Sequence, residues 1–362
     1  MRLDAAGELA GTSHDRDAVL AGIAGRAVQA DRGDTDLSED ISALMRAGLL
    51  SRLTEDCLPG GSASRAVALL RAIGRANLSV GRLVEGHVNA LVLIHLYGSA
   101  DQRERATAPD ELHAVWAADG DMPVRIDARG HRHAQLSGQK IFCSGLGLVR
   151  RAVVTAQTQD AAPQMVLVDV TDPGRAHPED WCVSGMRATR SGRYDLTGVR
   201  AALLGQPGDY MIEPHFDGGI WRYLALHVGG LEALAEETRQ QLGERAARPL
   251  QAARLVELAI AAQGARLWVE DAAQAASSAR EADAVRSAVP RLLLARQAVE
   301  TACQQGIALA ERALGTAAFM RGGRIDLIRR DLAFFLRQAD LDGKTLRTAR
   351  ALMRSGMVLG DS

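Results

Sequence analysis

The feature of this sequence that most restricts its fold is a change of pattern along the chain. From about residue 15 to residue 110, apolar residues recur every three to four positions, as in 17–24 and 40–48, which is typical of amphipathic helices. From about residue 115 to residue 199 the segments are short and rich in β-branched residues, as strands are. Helical periodicity returns at Ile220. The order helices, strands, helices predicts an α+β protein with several domains.

The pattern also predicts where these domains begin and end. We assign an N-terminal α-helical domain to 1–111, a middle β domain to 112–207 and a C-terminal helical domain to 208–362. Regular turn signals between short strands predict an antiparallel β-barrel or sandwich in the middle. Four long helical segments with short connections, 220–243, 250–282, 286–314 and about 325–355, predict a four-helix bundle at the end.

Composition excludes several classes of protein. A length of 362 residues exceeds the ~250–300 at which a single core usually stops growing, so more than one lobe is expected. The net charge of −1 argues against a nucleic-acid partner. The four cysteines form no C-x-x-C pair, which predicts free thiols in a reducing compartment. Without an apolar leader or a long apolar stretch, we expect a cytoplasmic protein with no membrane partner.

Common cofactor motifs are incomplete or missing. The glycines Gly145 and Gly147 lack the third glycine of G-x-G-x-x-G, and the phosphate-loop ending Gly343-Lys344-Thr345 lacks its first glycine. No H-E-x-x-H is found and no metal site is predicted. The chemistry must therefore be sought elsewhere in the chain.

The most informative segment is 137–145, with the sequence SGQKIFCSG. An aromatic residue followed two positions later by a hydroxyl places Phe142 and Ser144 on one face of a predicted strand. A flavin needs such an apolar surface together with a few hydrogen-bond donors. Further short motifs follow in order along the chain: 77–89 (NLSVGRLVEGHVN), Trp221-Arg222, Glu244-Arg245, Leu314-Gly315 and Arg330-Asp331.

Together these motifs resemble the acyl-CoA dehydrogenase family over about residues 65–350. The resemblance implies that Phe142 packs near a flavin ring, that Ser144 bonds the ring at N5, and that Gly315 lies in a cofactor-binding turn. It further implies that Arg245 reaches the diphosphate of FAD in a neighbouring subunit, and hence a homodimer or homotetramer. The expected substrate pocket comprises His87, Asn89, Trp221 and Arg222. The expected reaction is α,β-dehydrogenation of an acyl thioester, carried by CoA or a carrier protein, with an unknown electron acceptor.

The sequence departs from the family at the catalytic base, which is a Glu. One family position for it is Ala339 here and the other is Trp221. Asp340 is the nearest substitute, with Glu85 and Asp209 as other candidate carboxylates. The sequence motif with which the family usually binds the flavin pyrophosphate is also absent from 117–124.

These departures leave three hypotheses open. The first is an FAD-dependent acyl-CoA dehydrogenase with an unusual base. The second is a flavin-dependent monooxygenase of the same fold, which needs no α-proton base. The third is a binding or scaffolding relative without turnover. We take the first as the main expectation.

Overall fold

The structure, a computed structural model, describes residues 4–108, 110–130, 132–158, 162–279, 281–337 and 340–355. The first helices are α1 (Asp4–Arg32), α2 (Ser38–Arg46), α3 (Leu49–Cys57), α4 (Ala63–Ala76), α5 (Leu78–Tyr97) and α6 (Ala100–Ala106). The strands that follow are β1 (His113–Trp116), β2 (Arg125–Arg129), β3 (His133–Ser137), β4 (Gln139–Lys140), β5 (Arg151–Ala156), β6 (Gln164–Asp169), β7 (Ala176–His177), β8 (Arg193–Asp195) and β9 (Arg200–Leu204). The last helices are α7 (Trp221–Leu242), α8 (Pro249–Ser278), α9 (Ala282–Leu314), α10 (Arg324–Phe335) and α11 (Leu341–Ser355).

The N-terminal helices begin where the sequence supplies capping side chains. The Ser62 hydroxyl accepts the Arg65 N–H at 3.4 Å, which confirms the predicted start of α4. The Asn77 side chain accepts the Ser79 N–H at 2.8 Å and so caps α5. The helix α5 ends before Gly98, as predicted, and most of its residues are buried. It is therefore a central helix of the N-terminal region, with neighbours on more than one side.

The middle region differs from the predicted antiparallel barrel or sandwich. Its larger sheet has the order β1-β5-β6-β9-β3-β2, and β1 pairs with β5 in parallel, with His113 opposite Arg151. A smaller sheet has the order β4-β8-β7. Over the described strands the larger sheet is mixed and open, with β1 and β2 at its edges. The prediction failed because local alternation does not reveal that strands 38 residues apart in sequence pair in parallel.

The C-terminal helices agree with the prediction for α7, α8 and α9 but not for the last segment. The segment predicted as one helix over 325–355 is two helices, α10 and α11, separated after Leu336. Asp340 has a φ of +60°, a left-handed backbone that interrupts a right-handed helix. The predicted four-helix bundle is therefore an assembly of α7 to α11 over the described residues.

The two helical regions meet through a close crossing of α4 and α7. A Cβ at Gly74 would come within 2.5 Å of the Leu226 carbonyl oxygen, and one at Gly229 would overlap the Arg71 carbonyl. Each helix thus presents a glycine to the backbone of the other. No helix among the described residues is long and apolar enough to cross a bilayer. The cysteines are free, as predicted. The boundaries at 111/112 and 207/208 stay a prediction.

Candidate active site

A cavity of about 440 Å³ lies where the three regions of the chain meet. The helix α5 forms one side, and the end of β1 with residues 117–118 forms another. The turn 141–144, the loop 181–191, α7 and the end of α10 complete its lining. Cavities of roughly 300–1,000 Å³ with mostly apolar walls are the usual sites for small ligands.

One wall of this cavity is a row of aromatic rings. Phe142 and Trp181 meet edge to face with ring centroids 6.2 Å apart, and Trp181 and Phe334 do so at 5.5 Å. The Phe142 side chain is 60% exposed although it is large and apolar. The wall therefore offers an apolar surface that no other described side chain covers.

The backbone around Phe142 corrects the expectation of a continuous strand over 137–145. The strand β4 ends at Lys140, and Phe142 has a φ of +55°, in the left-handed region that a bulky residue rarely adopts. Such strain is held at functional sites by the surrounding structure. Ser144 nevertheless lines the same cavity, because the turn and not strand alternation brings the two side chains together.

Ser144 and Lys140 hold this turn in place. The Ser144 carbonyl oxygen accepts the Trp116 indole N–H at 3.3 Å, which ties the turn to β1. The fully buried Lys140 donates from Nζ to Asp119 at 2.6 Å, to Thr155 at 3.0 Å and to the carbonyl oxygen of Ala117 at 3.1 Å. Burial lowers the pKa of Lys140, and the bonds to Asp119 oppose this. Lys140 thus anchors the turn to the cavity floor.

Two hydroxyl side chains on the loop 181–191 are hydrogen-bonded to each other. The Thr189 hydroxyl donates to the Met186 carbonyl oxygen at 2.8 Å. Its distance of 2.8 Å to the Ser191 hydroxyl therefore requires Ser191 to be the donor, because Thr189 has a single hydrogen. Both residues line the cavity with their remaining lone pairs as acceptors.

The α5 side of the cavity carries a chain of paired polar groups. Glu85 accepts a hydrogen bond from Arg82 on Oε2 and another from Asn89 on Oε1. The Asn89 oxygen in turn accepts from Arg222 Nε at 2.5 Å. Glu85 supplies the only carboxylate among the described residues that line the cavity, and both of its oxygens are engaged. It is thus poorly suited to take a proton from a substrate.

Two phenols face the cavity from other elements. Burial raises the pKa of Tyr210 to about 12, and burial likewise raises the pKa of Tyr223. Both hydroxyls therefore keep their protons at neutral pH and can donate hydrogen bonds. Arg337 also lines the cavity and is bound by Glu300 at 2.7 Å.

The predicted substrate-pocket residues are only partly brought together. Asn89 lines the cavity, whereas Arg222 is buried behind it and acts on Asn89. Trp221 is buried beside Arg222, whose guanidinium carbon lies 5.4 Å from the ring centroid. His87 lies on the other side of α5, in a second cavity.

The other predicted residues lie away from the cavity lining. Asp340 is exposed and forms an ion pair with Arg347 at 2.8 Å, which lowers the pKa of Asp340. Arg245 is exposed and donates to the carbonyl oxygens of Leu242 and Gln241. Gly315 follows α9 with a φ of +62° and open space around it. The Asp209 carboxylate accepts the Gln206 backbone N–H at 2.7 Å, and Ala339 lies outside the described residues.

Sequence reasoning missed most of the lining side chains. Hydropathy treats Trp116, Tyr223 and Phe334 as ordinary core residues, and only the folded chain brings them to the lining of one cavity. The turn residues Gly138 and Gly145, both with positive φ, were a usable signal that 137–145 bends.

The residues of the cavity fit a flavin. The uncovered Phe142 ring and its aromatic neighbours supply the apolar face that an isoalloxazine ring requires. Ser144, Thr189 and Ser191 supply the few polar groups that such a ring uses at its edge. These residues would hold the cofactor.

Solved structures with the same architecture cover almost the whole chain. An FMN-bound TdsC from Paenibacillus sp. A11-2 superposes with a TM-score of 0.82 at 18% identity, over 95% of this chain and 97% of that one. The methanesulfinate monooxygenase MsuC from Pseudomonas fluorescens gives 0.79 at 19% identity, over 97% and 98%. This is an acyl-CoA dehydrogenase-like fold. The resemblance seen in the sequence is confirmed at the level of the fold.

The relatives found by sequence comparison have a different activity from the one expected for this chain. A dibenzothiophene monooxygenase from Rhodococcus erythropolis is 27% identical over 263 residues. The match spans 63% of this chain and 63% of that relative, which is less than two thirds of its length. No family model matches the chain. The predicted acyl-CoA dehydrogenation is wrong, because the relatives that match in sequence are monooxygenases.

Proposed function

We propose that this protein is a flavin-dependent monooxygenase that places one oxygen atom of O₂ on a flat, mainly apolar aromatic substrate. The observation that carries this proposal is the aromatic cavity whose lining carboxylate, Glu85, is bonded on both oxygens. Removal of an α-proton needs a free base, whereas oxygen insertion does not. The similarity to dibenzothiophene monooxygenase supports a sulfur heterocycle as the substrate class.

The cofactor we propose is reduced FMN in place of the expected FAD. The FMN in the TdsC structure supports this, as does the absence of the pyrophosphate-binding motif from 117–124. Arg245, the residue predicted to bind the FAD diphosphate, donates to the carbonyl oxygens of Gln241 and Leu242 at the end of α7. Its role toward a diphosphate stays a prediction that applies only to FAD.

Each side of the cavity has its own part in this reaction. When bound, reduced flavin supplies two electrons; one oxygen atom of O₂ enters the substrate and the other leaves as water. Phe142 and Ser144 hold the flavin, and the rings of Trp181 and Phe334 exclude water from the reacting atoms. The phenols of Tyr210 and Tyr223 stay protonated and donate hydrogen bonds to oxygen in the cavity.

The proposal is tested by reconstitution with a separate flavin reductase and NADH. With FMN, dibenzothiophene and ¹⁸O₂, we expect a sulfoxide carrying one labelled oxygen by mass spectrometry, and less product when FAD replaces FMN. Omission of the reductase is the control. Flavin binding without oxygenation of any sulfur or nitrogen heterocycle in an aromatic panel would overturn the proposal.

Replacement of Phe142 by alanine should weaken FMN binding about tenfold, on the order of 1.4 kcal/mol, because one aromatic face is lost. Alanine adopts the left-handed backbone no more easily than phenylalanine, so the turn is equally strained in both proteins. Flavin fluorescence titration measures the effect. Phe319→Ala, which removes another half-exposed ring outside the cavity, is the matched control. Equal affinities of both variants would remove Phe142 from the site.

We further propose that copies of the chain associate through the outer face of α8. Val256, Ile260, Leu267 and Trp268 recur at helical spacing and are 40–67% exposed, and a groove between α8 and α9 lies beside them. Contiguous apolar surface of this kind usually marks an interface. The double substitution Ile260→Lys with Leu267→Lys should convert the oligomer to monomers. Light scattering measures the change in mass. Leu346→Lys, at an exposed leucine of α11, should leave the mass unchanged. A monomeric unsubstituted protein would contradict this.

A further inference from the structure

A second cavity, of about 310 Å³, lies among the N-terminal helices. The helices α2, α3, α5 and α6 surround it, and half of its lining residues are apolar, including Met45, Leu50, Leu58, Leu91 and Ile94. The flavin site described above uses none of these residues.

The helix α5 separates this cavity from the proposed active site. Glu85 and Asn89 line the first cavity, whereas His87 and Leu91 line the second. Two positions along an α-helix are about 200° apart around its axis, so the two sets face opposite directions. A molecule in the second cavity would therefore occupy a site of its own.

His87 presents a hydrogen-bond donor to this second cavity. Its Nδ1 accepts the backbone N–H of His113 at 3.1 Å, so that nitrogen carries no hydrogen. Burial, with a smaller contribution from His113, lowers the pKa of His87 to about 3. The ring is thus neutral at physiological pH, and its hydrogen is on Nε2.

A second polar group, at Thr54, stands beside the aliphatic lining. The Thr54 Oγ1 atom is buried and has no hydrogen-bond partner, and the residue lines the cavity. A buried hydroxyl without a partner is costly, and a ligand atom would satisfy it. The other polar lining residues, Ser51, Glu55, His95, Arg103 and Thr107, are exposed, and the charges of Glu55 and Arg103 are opposite.

We propose that this second cavity binds a small, mainly apolar, uncharged molecule that carries one hydrogen-bond acceptor, such as an aryl ketone. The His87 Nε2–H and the Thr54 hydroxyl donate to the acceptor, and the aliphatic side chains enclose the body of the molecule. This site requires no flavin and does not depend on the proposed monooxygenase activity.

A matched pair of probes tests the need for an acceptor. 4′-Fluoroacetophenone has a carbonyl oxygen where 4-fluoro-α-methylstyrene, of nearly the same shape, has a methylene group. We expect the ketone to shift the methyl NMR signals of Ile94 and Met45 and to bind three- to tenfold more tightly than the alkene. Signals of Ile141, which lines the first cavity, report binding there.

Two substitutions test the donors separately. In His87→Asn the amide oxygen can still accept the His113 N–H, while the amide nitrogen of the shorter side chain does not reach the Nε2 position, so the ketone should lose part of its three- to tenfold advantage. Thr54→Val removes the hydroxyl with little change of shape and decides the matter if His87→Asn does not fold. Absence of shifts at Ile94 and Met45, equal affinity for the two probes, or unchanged affinity in the folded donor variants would overturn the proposal.

Discussion

Gly229→Ala should destabilise the protein by about 3 kcal/mol, the upper part of the usual range for overpacking. The added methyl group would overlap the Arg71 carbonyl and lie 2.9 Å from the Arg75 nitrogen. These are backbone atoms of α4, so no side-chain rotation can relieve the overlap. The helices would have to separate, although Gly74 brings them equally close from the other side.

Denaturant unfolding of the variant and of a matched control measures this cost. Gly25 is also helical, but a Cβ there would meet nothing within 4 Å. We expect Gly25→Ala to stabilise the protein by about 0.5–1 kcal/mol, since alanine is the better helix former. If Gly229→Ala also proved neutral or stabilising, the close crossing of α4 and α7 would be wrong.

The second large effect is a pH-dependent loss of stability caused by Asp331. Its side chain is buried, and its Oδ1 accepts the Met186 N–H at 2.6 Å. Burial chiefly raises the pKa of Asp331 from 3.8 to about 7, with the Met186 bond opposing this. Such a rise corresponds to roughly 4 kcal/mol against the ionised form in the folded state.

The direction of the pH dependence follows from proton binding. Below the unfolded pKa both states hold the proton, so the folded state bears no penalty. As pH rises through the window between 3.8 and about 7, the unfolded chain releases its proton before the folded one, so the free energy of unfolding falls. Above the folded pKa the full penalty is present.

Asp331→Asn removes this ionisation while its amide oxygen can still accept the Met186 N–H. Between pH 5 and pH 8 the variant should gain about 2–3 kcal/mol of stability relative to the unsubstituted protein. Denaturant unfolding at several pH values measures the difference. For the control Asp121→Asn, at an exposed position, the difference in free energy of unfolding from the unsubstituted protein should not change with pH. A flat difference for Asp331→Asn would contradict the raised pKa.

Local signals in the sequence were sufficient for several helix ends but not for the sheet. Ser62 and Gly98 mark helix ends through hydrogen bonding and backbone preference, which act over a few residues. The break between α10 and α11 at Asp340 has no glycine or proline to mark it, and the parallel pairing of β1 with β5 depends on contacts between distant segments. No local pattern reports such contacts.

The candidate site was predictable to a similar extent. Phe142 and Ser144 were identified from one segment, and Asn89 from another. Glu85 was considered only as a base, although its bonds to Arg82 and Asn89 make it a structural link. His87 lines the second cavity and not the first, because it lies two positions from both Glu85 and Asn89 and so faces the other side of α5.

The left-handed backbone at Phe142 sets stability against activity at a single position. Glycine adopts a φ of +55° without strain, so Phe142→Gly would relax the turn while removing the aromatic face. Laboratory evolution for heat resistance alone would thus tend to discard this ring, whereas evolution under a demand for turnover would retain it. A search for more heat-stable variants would therefore need to measure thermal stability and turnover together at this residue.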